Sequence, residues 1–242
     1  MDSNGYETEF GLITLTTTEL LAIPGDHRNF LIAASFISND NKFYWSMMTR
    51  SPIDANDQDI RAMQTVRWFW CSRKLASVIV EAEIALGAHC GKIPLLKKIN
   101  FEKTPILSKD NRKSNFFKVA NEFRNKSAYH YAHGELGKEL AGFDSNANHR
   151  IFAHRQQGNS VSELGEQIYT LPTIKKITGS SDFEGFNKWC SQCSSSIMRF
   201  CNIATVEVIL EHLPKKAHQM ITLQINHEAE TKEHRWPLFL VT

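Results

Sequence analysis

Residues 56–86 read NDQDIRAMQTVRWFWCSRKLASVIVEAEIAL, with Ile60, Met63, Val66, Phe69, Trp70, Ala76, Ile79, Val80 and Ala85 falling at three- and four-residue intervals. That interval is the α-helical period, and the acidic and capping residues at the start of the run mark an N-terminus. Gly87 or Gly91 closes the helix. A helix this long, with so broad an apolar face, has to be covered by other helices. The fold class it predicts is all-α.

Working outward, three further segments carry the same period. Arg28 to Met48 presents Phe30, Ile32, Ala33, Phe36 and Ile37 before a polar interruption at Asn39 to Asn41, and Ser51-Pro52 ends it or begins a loop. A third helix starts at Ser114, an N-cap residue, and sets Phe116, Ala120, Phe123, Ser127 and His130 along one stripe, with Gly134 as its stop. The fourth, Asp182 to His212, buries Phe186, Trp189, Cys190, Cys193, Ile197 and Phe200 and is followed by Pro214. These segments predict a bundle of four to five long helices in a single domain, 1–242, with its helical core over about 28–213. Residues 135–181, glycine-rich and polar, read as an irregular insertion. Ile221, Leu223 and Ile225 alternate with polar residues, and Gly11 to Thr17 and Ile168 to Leu171 have weaker strand character, so a small peripheral β-sheet is compatible with the pattern.

Composition narrows the class further. Of 242 residues, 42% are hydrophobic and 22% charged, which is neither disordered nor membrane-like, and a net charge of +2 gives no global drive toward nucleic acid. Locally, Arg112, Lys113, Lys118, Arg124 and Lys126 crowd one region. The acidic start MDSNGYETEF is unlike a secretory signal, and the most apolar run, Leu75 to Leu86, is interrupted by Glu81 and Glu83, so a cytoplasmic protein without a membrane span is expected. Five cysteines without a signal peptide read as reduced thiols. Cys190 and Cys193 form one CxxC with no second pair to complete a zinc set, and they read as core packing. His130 and His133 lack a convincing carboxylate co-ligand, and HRIFAHR, 149–155, reads as a surface loop or short strand. No metal or cofactor is assigned.

The sharpest chemistry lies in FFKVANEFRNKSAYHYAHG, 116–134, where Arg124, Asn125 and His130 follow an aromatic-faced helix. Guanidinium can stabilise charge on phosphorus, and imidazole can move a proton near neutral pH. On a continuous helix of about 100° per residue, Arg124 and His130 stand roughly 120° apart around the axis and about 9 Å apart along it. One copy therefore does not converge them, whereas two copies meeting across a twofold axis would line an anionic cleft.

RNKSAYH resembles the motif of the HEPN superfamily (higher eukaryotes and prokaryotes nucleotide-binding), in which an arginine and a polar residue precede a histidine. Here five residues intervene between Arg124 and His130. The resemblance covers about 28–213, although only the motif is specific. It implies a homodimeric, metal-independent endoribonuclease, cytoplasmic, of the toxin or antiviral-defence kind, with RNA as substrate and an antitoxin as a compatible partner. Arg124, Asn125 and His130 would be catalytic, with Lys126, Tyr129, Tyr131 and His133 around the substrate. Ala132 stands where members modified by a nucleotidyltransferase carry tyrosine, which disfavours that regulation. The alternative is a noncatalytic helical dimer that binds RNA, a nucleotide or a protein through the same residues.

Overall fold

The computed structural model describes residues 7–49, 58–102, 112–128, 151–152, 161–162, 165–219 and 221–226. In chain order these form β1 (Glu7–Leu12), α1 (Thr17–Ala22), α2 (Gly25–Thr49), α3 (Gln58–Lys92), α4 (Pro94–Glu102), α5 (Asn115–Phe123), β2 (Ile151–Phe152), β3 (Val161–Ser162), α6 (Leu171–Thr178), α7 (Phe183–His212) and β4 (Ile221–Asn226). Single π-helical turns follow α5 at Arg124–Ala128 and precede α6 at Glu166–Thr170, and a 3₁₀ turn spans Pro214–Gln219. The all-α class holds. Contacts group the chain into two compact units, Met1–Leu31 with Thr205–Thr242, and Ile32–Ala204.

In the larger unit, α3 is buried on almost every residue from Cys71 to Val80, as a central helix must be. Aromatic rings join three elements to it. Phe183 of α7 sits edge-on to Phe69 and Trp68 of α3, with ring centroids 4.2 and 4.9 Å apart. Phe186 stacks on Trp189 at 5.9 Å and meets Phe123 of α5 edge-on at 5.8 Å. Phe123 in turn lies 6.1 Å from Tyr169 in the second π turn. Such pairs add about 0.5–1.5 kcal/mol each beyond the area they bury. Trp68 and Phe69 are therefore bound into this seam, while Phe43 remains exposed on α2.

The smaller unit pairs the chain's two outer strands. β1 and β4 run antiparallel, Glu7 opposite Asn226 and Leu12 opposite Ile221. Thr16 opens α1 with a capping box: its hydroxyl accepts from the Glu19 amide while the Glu19 carboxylate accepts from the Thr16 amide. Lys216 donates to Glu19 at 2.8 Å and to the Thr14 carbonyl at 2.7 Å. The Lys216 hydrogen bond, followed by the Thr16 amide, holds the Glu19 carboxyl below its ordinary value.

Several boundaries differ from the sequence reading, each for a physical reason. α3 passes through both Gly87 and Gly91 and stops at Lys92, because Pro94 disfavours helix at Ile93 and starts α4. Gly87 has another use, since a Cβ there would lie 3.3 Å from the Arg112 guanidinium crossing it. The weak strand at Gly11 to Thr17 is displaced to Glu7–Leu12, and the threonine run caps α1 instead. Ile168 to Leu171 is helical rather than extended, and 165–178 of the supposed irregular insertion is a helix buried at Ile168, Tyr169 and Ile174. Gly179, at φ +80°, ends that helix in the left-handed conformation glycine accepts.

α7 is also apolar enough, with an 18-residue window of mean hydropathy 1.3, to cross a membrane by length and composition. Here Phe186, Cys190, Ile197, Phe200, Ala204 and Val208 are buried along one face, while Lys188, Gln192, Ser195, Ser196, Arg199 and Asn202 are exposed. That pattern is an amphipathic core helix. Truncating Phe186 to Ala removes the ring shared by α5 and α7, and should cost about 3–5 kcal/mol. Urea unfolding followed by far-UV circular dichroism measures this; a loss below 1 kcal/mol would contradict the seam.

Candidate functional site

The predicted third helix splits at Phe123. Ser114 caps α5 by accepting from the Phe117 amide at 3.1 Å, and Val119, Ala120 and Phe123 are buried along its inner face. The backbone then widens into the π turn Arg124–Ala128, so the phase computed for a continuous helix does not carry beyond Arg124. Turns of this kind occur mostly as single insertions and are frequent at functional sites.

Arg124 leaves the end of α5 beside the aromatic seam. Its Nε donates to Oε1 of Glu81 at 2.6 Å, and its Nη1 donates to Oδ1 of Asn125 at 3.2 Å. About a third of the Arg124 side chain, 32%, remains exposed, so the guanidinium is oriented at the surface rather than sealed in the core. Asn125 is exposed, and Lys126 pairs with Glu122 one turn back at 2.7 Å. The structure thus brings together Arg124 and Asn125 of the predicted catalytic trio. His130, with Tyr129, Tyr131 and His133, lies outside the described residues, as do the histidines and arginines of HRIFAHR.

Glu81 was missed as a site residue, although the sequence marks it: it is one of two carboxylates interrupting the most apolar run. The other, Glu83, is buried and accepts from the Arg112 Nε at 3.1 Å. A buried charge is expensive unless paired, so Glu83 implies a cation from another segment, whereas Glu81 lies exposed at the edge of the same run. An exposed pair such as Arg124–Glu81 contributes only about 0–1 kcal/mol, and its effect is to aim the guanidinium.

A deeper pair lies at Arg73. Its Nη2 donates to Oε1 of Glu166 at 2.8 Å with both side chains about nine-tenths buried, and the Thr170 hydroxyl donates to the other Glu166 oxygen. Glu166 also borders a cleft of about 470 Å³ lined by Gln58, Arg61, Thr65, Phe69 and Leu171. A separation of 93 residues left no local signal for this pairing.

All five cysteines are free thiols. Burial pushes Cys71 and Cys90 up to about 11, Cys201 up to about 12 and Cys190 well above the ordinary thiol value. Thiols held protonated in this way are poor nucleophiles and poor ligands at neutral pH. Only Cys193 of the CxxC is partly accessible.

No family model, no curated protein and no solved structure matches the chain. Two measurements check the geometry directly. Glu166→Ala, which removes the buried carboxylate beside Arg73, should lose about 3–5 kcal/mol of stability, whereas Glu81→Ala should lose under about 1 kcal/mol; equal losses would refute the contrast. At pH 8, Ellman's reagent should titrate Cys193 rapidly and the four buried thiols only after denaturation. Rapid reaction of a second thiol in the folded protein would contradict their burial.

Proposed function

We propose that the chain is a metal-independent endoribonuclease of HEPN type, of the toxin or antiviral-defence kind, acting as a cytoplasmic homodimer. What supports the reading is Arg124 itself. It stands at a π turn ending an aromatic-packed helix, its guanidinium aimed by Glu81 and Asn125, with about a third of its side chain exposed, 32%.

In the reaction, the ribose 2′-hydroxyl attacks its adjacent phosphorus, and the bond to the 5′-oxygen of the next nucleotide breaks. The products are a 2′,3′-cyclic phosphate and a 5′-hydroxyl. Arg124 stabilises the doubly charged phosphorane with charge-assisted hydrogen bonds, Asn125 holds the arginine, and His130 moves a proton from the attacking or to the leaving oxygen. Lys126, Tyr129, Tyr131 and His133 contact the RNA. Two copies meeting across a twofold axis would supply these groups in duplicate to one cleft. Ile32, Phe36 and Phe43 form an exposed apolar stripe on α2 that favours self-association.

The Glu81 ion pair favours one other reading, in which Arg124 is a recognition or interface group of a noncatalytic dimer that binds RNA, a nucleotide or a protein. Incubation of purified protein with structured and single-stranded RNA in EDTA separates the two. Cleavage to cyclic phosphate ends should fall at least about 100-fold in Arg124→Ala and in His130→Ala. Cleavage unchanged by either substitution removes the site, and retention of RNA without cleavage supports the noncatalytic dimer.

A further inference from the structure

Among the described residues, His27, Glu211 and His212 place one potential ligand atom each within 4.8 Å of one another. All three belong to the smaller unit, although His27 and His212 are 185 residues apart in sequence. His27 lies in the first turn of α2, while Glu211 and His212 are the last two residues of α7. Nδ1 of His27 and Nε2 of His212 are in direct hydrogen-bonding contact, with their rings tilted at 47°. Oε2 of Glu211 points at the same place, 3.8 Å from the His27 nitrogen and 3.6 Å from the His212 nitrogen.

An imidazole-to-imidazole hydrogen bond accounts for part of this arrangement. The Glu211 carboxylate stands beyond hydrogen-bonding range of both nitrogens but within ion-pair range, so it calls for positive charge between them, from an imidazolium or from a bound cation. A cation among the three atoms accounts for all of it. In a tetrahedral site with metal–ligand bonds of about 2.1 Å, neighbouring ligand atoms stand about 3.4 Å apart, close to both carboxylate distances. A small rotation of either ring opens the nitrogen pair to the same spacing. The C-terminus of α7 adds the negative end of a helix dipole beside the cation.

We propose that His27, Glu211 and His212 bind one divalent transition-metal ion of the zinc type. The donor set of two imidazoles and a carboxylate suits that class, and hard cations such as magnesium or calcium prefer oxygen alone. The imidazoles are mostly buried, with side chains 17% and 22% exposed, whereas Glu211 is 46% exposed. Water therefore completes the coordination on the Glu211 side. The ion ties the start of α2 to the end of α7 within the smaller unit. The three ligands are none of the residues on which the ribonuclease reading rests, so the site stands or falls separately from it.

The test uses the full-length, tag-free protein, stripped with EDTA, dialysed and titrated with Zn²⁺ alone. One equivalent should bind, and EDTA should reverse the accompanying rise in melting temperature. Binding should weaken at least tenfold in Glu211→Gln, and the His27→Gln/His212→Gln double variant should lose both the uptake and the thermal shift. Failure of the wild type to take up Zn²⁺ at 100-fold excess overturns the site, as does undiminished binding by the folded double variant. Should the variants unfold, X-ray absorption of the wild-type zinc complex decides: nitrogen and oxygen neighbours near 2.1 Å uphold the site, and sulfur near 2.3 Å overturns it.

Discussion

A helix enclosed on most sides cannot carry a bare charge, and α3 carries several. Between Cys71 and Leu86 most of its residues are buried, Arg73 and Glu83 among them, with Glu81 at the exposed edge of the same stretch. Each draws a partner from a different segment: Arg73 takes Glu166 from the π turn before α6, Glu83 takes Arg112 from just ahead of α5, and Glu81 takes Arg124 from its end. Unpaired, a buried charge costs several kcal/mol, more than the margin of a typical domain readily tolerates. The pairs hold α5 and the segment leading into α6 against α3 with a specificity that apolar contact alone does not provide. The third pair is exposed and carries no such requirement; there Glu81 orients an arginine that stays partly accessible.

The aromatic seam works with these pairs. Rings from α3, α5, α7 and the second π turn interlock around Phe186, so the helix that ends at Arg124 is anchored through Phe116 and Phe123. The π turn begins where that anchoring ends. An extra residue in the turn moves the backbone off the α-helical register, and its first two residues, Arg124 and Asn125, share a side-chain hydrogen bond.

The smaller unit is built from the chain's outer parts, with a two-stranded ladder, a capped helix and one lysine that reaches both Glu19 and the Thr14 carbonyl. His27 and the Glu211–His212 pair are brought together at helix ends, where side chains from distant sequence can share one small volume.

The sequence by itself determined the helical class and the positions of α2, α3 and α7, because their apolar residues recur at the helical period, interrupted at Asn39 to Asn41 of α2. Ser114 as an N-cap and the strand around Leu223 were legible for the same local reason. So was the unusual content of Arg124 and Asn125 after an aromatic stripe. Tertiary structure alone decided that α3 runs through two glycines, that Ile168 to Leu171 is helical, and that Arg124 leaves a π turn, since packing outweighs propensities of about 1 kcal/mol per residue. It also decided every long-range pairing, Arg73 with Glu166, Arg124 with Glu81 and His27 with His212. Periodicity reports which face of a helix is buried; which charge or ligand it meets there depends on how segments far apart in the chain come together.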